Sequence, residues 1–381
     1  MRVLILGADG YLGWPTAMHF AARGHEVVAV DNYLRRTLAL QTRSEPLMAN
    51  PDLEQRIEIF REVTGHKIAF RVGDCADYPF LQSVFRESRP EVVIHYAEQP
   101  SAPYSMRGYP EAALTLRNNL MTTLNVVWAL HQETPDCHLI KLGTMGEYGT
   151  PQIEIEEGWI EIEHKGRKDR FLFPRQAGSL YHTTKIMDTD LLWFYVRMWK
   201  IRVTDLMQGP VYGLSTPEAD RDDRLAPNFH YDDLFGTVVN RFLVQAAAGV
   251  PLTVYGRGGQ TRGYLNLLDT LQCVELAATH PVRNRELRIL NQFTECFTIN
   301  ELAGLVQQAG HALGLKVEIQ HLENPRQEAE EHFYQPAHSG LMELGLQPHY
   351  MSAGVIQDML ERVLRYQNEI DQAKIYPRVC W

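Results

Sequence analysis

Short runs of consecutive apolar, largely β-branched residues recur through the first 210 positions: Val3 to Leu6, Glu26 to Val30, Ile68 to Val72, Val92 to His95, His138 to Leu142 and Arg202 to Leu206. Runs this short, apolar at consecutive rather than alternate positions, predict strands buried on both faces, as in a parallel sheet. Between them, Tyr11 to Arg23, Tyr78 to Glu87, Glu111 to Gln132 and Ser179 to Trp199 have the length and periodicity of helices. Strands alternating with crossover helices predict an α/β fold built on a doubly wound parallel sheet.

Two stretches interrupt that rhythm. Arg35 to Lys67 reads as a largely helical insertion with a helix start at Pro51-Asp52, and Ile153 to Phe173 alternates like a β-hairpin, with Ile153, Ile155, Ile160 and Ile162 set among acids. After about Gly209 the pattern becomes shorter and mixed, with strands expected at Leu252 to Tyr255 and Leu287 to Leu290 and helices at Asn300 to Leu313 and Val355 to Gln367. The expected organisation is a nucleotide-binding domain over 1–208, with insertions near 35–67 and 150–173, and a smaller mixed α/β domain over 209–381, mainly substrate-binding.

At 381 residues, 45% hydrophobic and 22% charged, the chain has material for a sizeable core. A net charge of -10 without a basic stripe argues against nucleic acid and for a small-molecule ligand. Cys75, Cys137, Cys273, Cys296 and Cys380 are odd in number and scattered without C-x-x-C spacing, so neither a disulfide framework nor a metal site is expected. Buried thiols suit a reducing cytoplasm, and no membrane association is expected. A homodimer is the expected assembly.

Candidate chemistry enters at the strand ends. Gly7-Ala8-Asp9-Gly10-Tyr11-Leu12-Gly13 follows the first strand and opens a helix, so backbone N–H groups and the helix dipole can face a pyrophosphate. The G-x-x-G-x-x-G spacing is that of short-chain dehydrogenases and predicts a Rossmann-type core. Asp31 ends the second strand, where its carboxylate can accept from ribose hydroxyls; this favours NAD over its phosphorylated form, although Arg35 and Arg36 lie nearby. Gly73-Asp74 closes the third strand and His95-Tyr96-Ala97 the fourth. With Asn32, Arg35, Cys75, Asn119 and Gln208, these residues complete the expected NAD site.

A second constellation joins Thr144, at the end of the fifth strand, to Tyr181 and Lys185 on the following helix. A phenol with a pKa near 10 takes a proton from a sugar hydroxyl at neutral pH only if a nearby ammonium stabilises the phenolate. The Y-x-x-x-K spacing sets the two side chains at i and i+4 on one helix face.

Gly143-Thr144-Met145-Gly146-Glu147-Tyr148-Gly149-Thr150-Pro151, with Tyr181-His182-Thr183-Thr184-Lys185, resembles the UDP-sulfoquinovose synthase family. The likeness extends through Glu98-Gln99, Ser101 to Met106, Tyr255 to Tyr264, Asn291 to Glu295, Asn324-Pro325-Arg326 and Leu341 to Leu346 to Trp381. It implies a cycle in which NAD oxidises the glucose 4-hydroxyl, the ketone acidifies the 5-hydrogen, the 6-hydroxyl leaves to give a 5,6-ene, sulfite adds at carbon 6, and the ketone is reduced again. It makes Tyr181 the oxidation base, Lys185 the group that lowers its pKa and holds the nicotinamide ribose, and Thr144 the hydrogen-bond partner of the 4-oxygen. Glu147 and His182 become the candidate acid and base for the elimination, and Gln99, Ser101, Met145, Arg262 and Arg326 the expected substrate contacts.

The chain departs from the family at several points. Pro100 stands where the family has an arginine, a plausible anion anchor, and proline offers neither charge nor donor. Met207 replaces an asparagine of a kind that contacts phosphate or sugar. Leu225 to His230 differs from the family's Asn-Arg-Leu-Asp run, and Asn266 and Leu268 replace an aspartate and an arginine. The losses are expected to fall on the substrate side. They leave open a sulfite-independent dehydratase that stops at a 5,6-ene on a sugar nucleotide or nucleoside of the angustmycin kind, and, less favoured, an NAD-binding regulator without turnover.

Overall fold

A computed structural model describes residues 1–283, 285–325, 333–376 and 380. Arg2–Leu6 (β1), Gly13–Ala22 (α1), Glu26–Asp31 (β2), Leu34–Thr42 (α2), Leu53–Thr64 (α3), Ile68–Val72 (β3), Tyr78–Ser88 (α4), Val92–His95 (β4), Ala102–Ser105 (α5), Tyr109–Glu133 (α6) and His138–Thr144 (β5) make up the first part. Trp159–His164 (β6), Arg167–Leu172 (β7), Leu180–Trp199 (α7), Arg202–Gln208 (β8) and Val211–Tyr212 (β9) follow. The remainder comprises Val238–Ala247 (α8), Leu252–Tyr255 (β10), Thr261–Asn266 (β11), Leu267–Thr279 (α9), Leu287–Gln292 (β12), Glu295–Thr298 (β13), Ile299–Ala312 (α10), Ile319–Leu322 (β14), Ser339–Glu343 (α11) and Ala353–Leu364 (α12).

The six apolar runs form six strands of a parallel seven-stranded sheet ordered β12-β8-β5-β4-β1-β2-β3. Residues pointing to one face, Val3, Ile5, Ala29 and Ile94, pack with Trp14 and Phe20 of α1 and Cys273 and Ala277 of α9. Residues pointing to the other, Leu4, Leu6, Val93 and Leu139, pack with Leu81 of α4, Val126 of α6 and Leu192 of α7. This two-sided burial is why the strands read as continuous apolar runs. A third cluster, with Tyr212, Phe242, Leu252, Leu302 and Met359 among its members, is built mainly by the later part of the chain, with Leu47 joining it from the insertion after β2. β12, which follows α8 to α9 in sequence, returns to the edge of the main sheet beside β8. The doubly wound α/β fold expected from the sequence is therefore present.

The insertion after β2 is helical as expected, and Asp52 caps α3 by accepting from Gln55 N at 2.9 Å. The hairpin expected over 153–173 is shorter. It runs from Trp159 to Leu172 around Lys165 and Gly166, both at positive φ. Glu157 breaks the alternation because its carboxylate turns back to accept from Asn291 N at 2.7 Å and Gly340 N at 3.0 Å, and Gly158 at φ 76° redirects the chain. Ile155 instead bridges to Pro336 and is buried.

His138 opens β5 with its Nε2 2.9 Å from Thr204 Oγ1, and burial, with Arg288 and Arg202 nearby, lowers its pKa to about 3. The neutral form is favoured in the folded state, so its contribution is complete above the unfolded value near 6.5 and is lost as pH falls toward 3, up to roughly 5 kcal/mol. The melting temperature of a His138→Gln variant should therefore decline less between pH 6.5 and 4 than that of the parent. Parallel declines would show that this histidine is not held neutral.

Candidate active site

The C-terminal ends of β1, β2, β3, β4, β5 and β8 open on one cavity of about 540 Å³, which lies across the point where strand order reverses between β1 and β4. Gly7 has φ 83°, and a Cβ there would lie 2.7 Å from the Tyr96 carbonyl carbon; a Cβ on Gly13 would collide with Gly7 O. These two glycines let the loop, the first helix and β4 close together. A Cβ on Gly10 would meet only Gly7 O, at 3.3 Å, and the amides of Tyr11 and Leu12 have no protein acceptor among the described residues. Such a cradle fits a dinucleotide pyrophosphate. The Tyr11 hydroxyl donates to Gly213 O at 2.7 Å, tying the loop to the later part of the chain.

Asp31 lines the cavity and accepts from Asp9 N at 2.8 Å and Tyr33 N at 2.7 Å. Burial, with Asp9 adding to it, raises its pKa to about 6. The Asp9 carboxylate is engaged by Arg36 at 2.6 and 2.9 Å and by Arg56 at 2.5 Å, and its carbonyl accepts from Asn228 Nδ2 at 2.7 Å. Asp9 thus holds the floor of the loop with its own groups already occupied. Arg36 is likewise committed, to Asp9 and the carbonyls of Asn50 and Pro51, which removes it as a receiver for a ribose phosphate. Arg35 lines the cavity with its guanidinium 5.0 Å from the Phe235 ring centre. Asn32, Asp74, Cys75, Ala97 and Gln208 also line it. His95 and Asn119 do not: His95 is buried beside Thr123, and Asn119 braces Gln99 N at 2.8 Å and Thr184 Oγ1 at 3.0 Å.

Thr144, Tyr181 and His182 all line the cavity. Thr144 Oγ1 accepts from Gly146 N at 3.1 Å, so its own proton is available to a ligand oxygen. His182 Nδ1 lies 3.0 Å from Ser179 Oγ, and a Cβ on Gly146 would collide with His182 Nε2, so this turn admits only glycine beneath the imidazole. Lys185 does not itself line the cavity: its ammonium is buried behind Tyr181, donating to Leu142 O at 2.6 Å and pairing with Glu98 Oε2 at 2.5 Å, its nitrogen 6.0 Å from the Tyr181 ring centre. Burial, reinforced by Glu98, pushes the Tyr181 phenol well above its usual range.

Glu147 is not at the cavity. It is fully buried behind Thr144, accepting from Thr144 N and Thr189 Oγ1 at 3.3 Å each, with Lys141 and Arg175 at 3.6 Å. Burial raises its pKa, with Asp205 adding and Lys141 and Arg175 opposing. Met145 is buried outside the cavity as well. Gln99 and Ser101 line the cavity; Gln99 Nε2 donates to Thr115 Oγ1 at 2.8 Å and Ser101 Oγ donates to Leu234 O at 2.5 Å. Arg262 lines it too, while Arg326 lies outside the described residues.

The departures from the family divide in the same way. Pro100 and Asn228 line the cavity. Met207 does not; it is buried within β8 behind Gly143. Asn266 caps α9 by accepting from Leu268 N at 2.9 Å, a task an aspartate performs equally well. The expectation that the changes lie on the substrate side is corrected for these two and for Leu225, Phe229 and Leu268, none of which lines the cavity, while Asn228 and His230 do.

Sequence reasoning did not assign Glu98, Lys141, Asp188 or Asp205 to the site, nor the stretch from Asp232 to Val238 that lines the cavity. Lys141 and Asp205 carried a signal, since each is a charge at the middle of a strand, with Ile140 and Leu142 flanking the one and Leu206 following the other. Buried charges of this kind are retained only with partners, here one another at 3.5 Å and Thr189.

The model of the NAD dependent epimerase/dehydratase family matches residues 3–291. The UDP-sulfoquinovose synthase of Spinacia oleracea, a chloroplastic protein, is 47% identical over 380 residues, covering 100% of this chain and 79% of that one. The UDP-sulfoquinovose synthase of Sulfolobus acidocaldarius is 42% identical over 384 residues, covering 100% and 98%. Among solved structures, UDP-glucose 4-epimerase from Bifidobacterium longum in complex with NAD+ and UDP superposes with a TM-score of 0.70 at 19% identity, covering 98% of this chain and 99% of that one, a likeness of fold. With the two UDP-sulfoquinovose synthase matches running the whole length of this chain and the cradle at Gly7 to Gly13 suited to a dinucleotide, the chain belongs to the NAD-dependent epimerase/dehydratase family, within it to the UDP-sulfoquinovose synthases, and NAD is its cofactor.

Proposed function

We propose that this enzyme converts UDP-glucose and sulfite to UDP-sulfoquinovose. The observation that carries the reading is full-length identity of 47% to a UDP-sulfoquinovose synthase, combined with a cavity that gathers Thr144, Tyr181 and His182 beside the glycine loop. Bound NAD supplies the hydride acceptor at the start of the cycle and the hydride donor at its end. Tyr181 takes the proton of the sugar 4-hydroxyl, while Thr144 donates to the same oxygen and stabilises the ketone it becomes. Lys185 has three N–H groups, two of them used by Leu142 O and Glu98, and the third serves the nicotinamide ribose.

Of the two candidates for elimination, His182 fits. Its ring reaches the cavity, and Ser179 holds it in place while it removes the 5-hydrogen and protonates the departing 6-hydroxyl. Glu147 serves the Thr144 turn instead, by accepting from its backbone. Arg262, with Arg326, is assigned to the diphosphate. The uncharged Pro100 in the cavity wall favours a second reading, in which no sulfite adds and the 5,6-ene is the product.

The homodimer belongs to the same proposal. Leu116, Met121 and Trp128 on α6 and Met187, Phe194 and Met198 on α7 expose apolar surface that a second copy would cover. A reducing cytoplasm is the proposed setting, and all five cysteines are free. No described helix is long and apolar enough to cross a membrane.

A cycle that returns its hydride predicts that purified enzyme retains NAD and that product forms with no net accumulation of NADH. Stoichiometric release of NADH during turnover would instead identify a simple dehydrogenase.

A further inference from the structure

Lys185 is usually expected to act on Tyr181 as an uncompensated positive charge. Here it is compensated. Glu98 leaves β4 beside the cavity wall, and its Oε2 lies 2.5 Å from Lys185 Nζ, both side chains no more than 4% exposed. The ammonium is therefore fixed between a carboxylate and Leu142 O, itself a carbonyl of β5, with one N–H left over. We propose that Glu98 is a positioning residue for proton transfer at Tyr181: it holds the Lys185 ammonium by a direct ion pair and sets the pH at which the phenol yields its proton. The proposal rests on the reading of Tyr181 as the base.

The surroundings leave Glu98 as the charge that matters. On β4, His95 is 3.8 Å from Glu98 Oε1, but burial lowers its pKa to about 4, so it is neutral at working pH. On α7, burial and Glu98 raise Asp188 well above the carboxylate range, which favours its neutral form. On β5 and β8, Lys141 and Asp205 pair at 3.5 Å, with Glu147 of the following turn 3.6 Å from the same ammonium. Burial works against ionisation of Glu98, yet Lys185, with Lys141 adding, holds it below the usual carboxylate range. A carboxylate so placed disfavours the phenolate, and its removal should favour it.

The test is an ultraviolet titration of tyrosinate in the NAD-loaded enzyme, with the Tyr181→Phe spectrum subtracted, beside the acid limb of kcat/KM for UDP-glucose. In Glu98→Gln both should move to lower pH by about one unit. Glu98→Asp keeps the charge but withdraws it by one methylene, and should move them part of the way; it decides alone if Glu98→Gln does not fold. A purely structural role would lower kcat at every pH without moving either. An unchanged titration in the folded variants, or a move to higher pH, overturns the proposal. If the tyrosinate titration moves but UDP-glucose is not consumed, the substrate assignment fails and the role of Glu98 stands.

Discussion

Tyr181→Phe is expected to lower the rate of sugar oxidation by roughly 10²–10⁴-fold, the usual worth of a positioned general base, while leaving NAD affinity nearly unchanged. The substitution removes one oxygen and keeps the ring, which packs 5.1 Å from the His182 ring. The Tyr181 backbone amide still donates to Ser105 Oγ at 3.1 Å, so the start of α7 is preserved. Steady-state kinetics with equilibrium NAD binding would separate the two effects. Retention of more than about a tenth of the activity would place the base elsewhere, His182 being the next group at the cavity.

Lys185→Ala should do more damage, because it removes the ammonium and strands its partner. Glu98 would remain buried without a counter-charge, at a cost of about 3–5 kcal/mol to the fold. Activity should fall at least as far as in Tyr181→Phe, and the melting temperature should fall with it. The double variant Lys185→Met, Glu98→Gln removes both charges together and should regain most of the lost stability while remaining inactive. If Lys185→Ala melts like the parent, Glu98 has found water or another cation, and the buried pair does not brace this site.

Much of this was legible in the residue pattern. Six of seven main-sheet strands, the Gly7 to Gly13 loop and the Tyr181–Lys185 pair follow from local rules, because parallel strands are apolar throughout and a helix places i and i+4 on one face. The seventh strand was visible as Leu287 to Leu290 but not its place beside β8, since no local rule says which sheet a late strand joins. The Glu98–Lys185 pair spans 87 positions and the Lys141–Asp205 pair 64, separations that spacing rules do not reach. Family comparison drew attention to Met207 and Asn266, yet only three-dimensional placement separates them from Pro100 and Asn228, which face the cavity.

The most direct measurement is product formation from UDP-glucose by the NAD-loaded enzyme with and without sulfite, followed by mass spectrometry and by deuterium incorporation from heavy water at carbon 5. The expected result is a sulfonated nucleotide sugar that forms only when sulfite is added, despite Pro100 in the cavity wall. Formation of a 5,6-unsaturated product at the same rate whether sulfite is present or absent would contradict it, and would assign the enzyme to sulfite-independent dehydration instead.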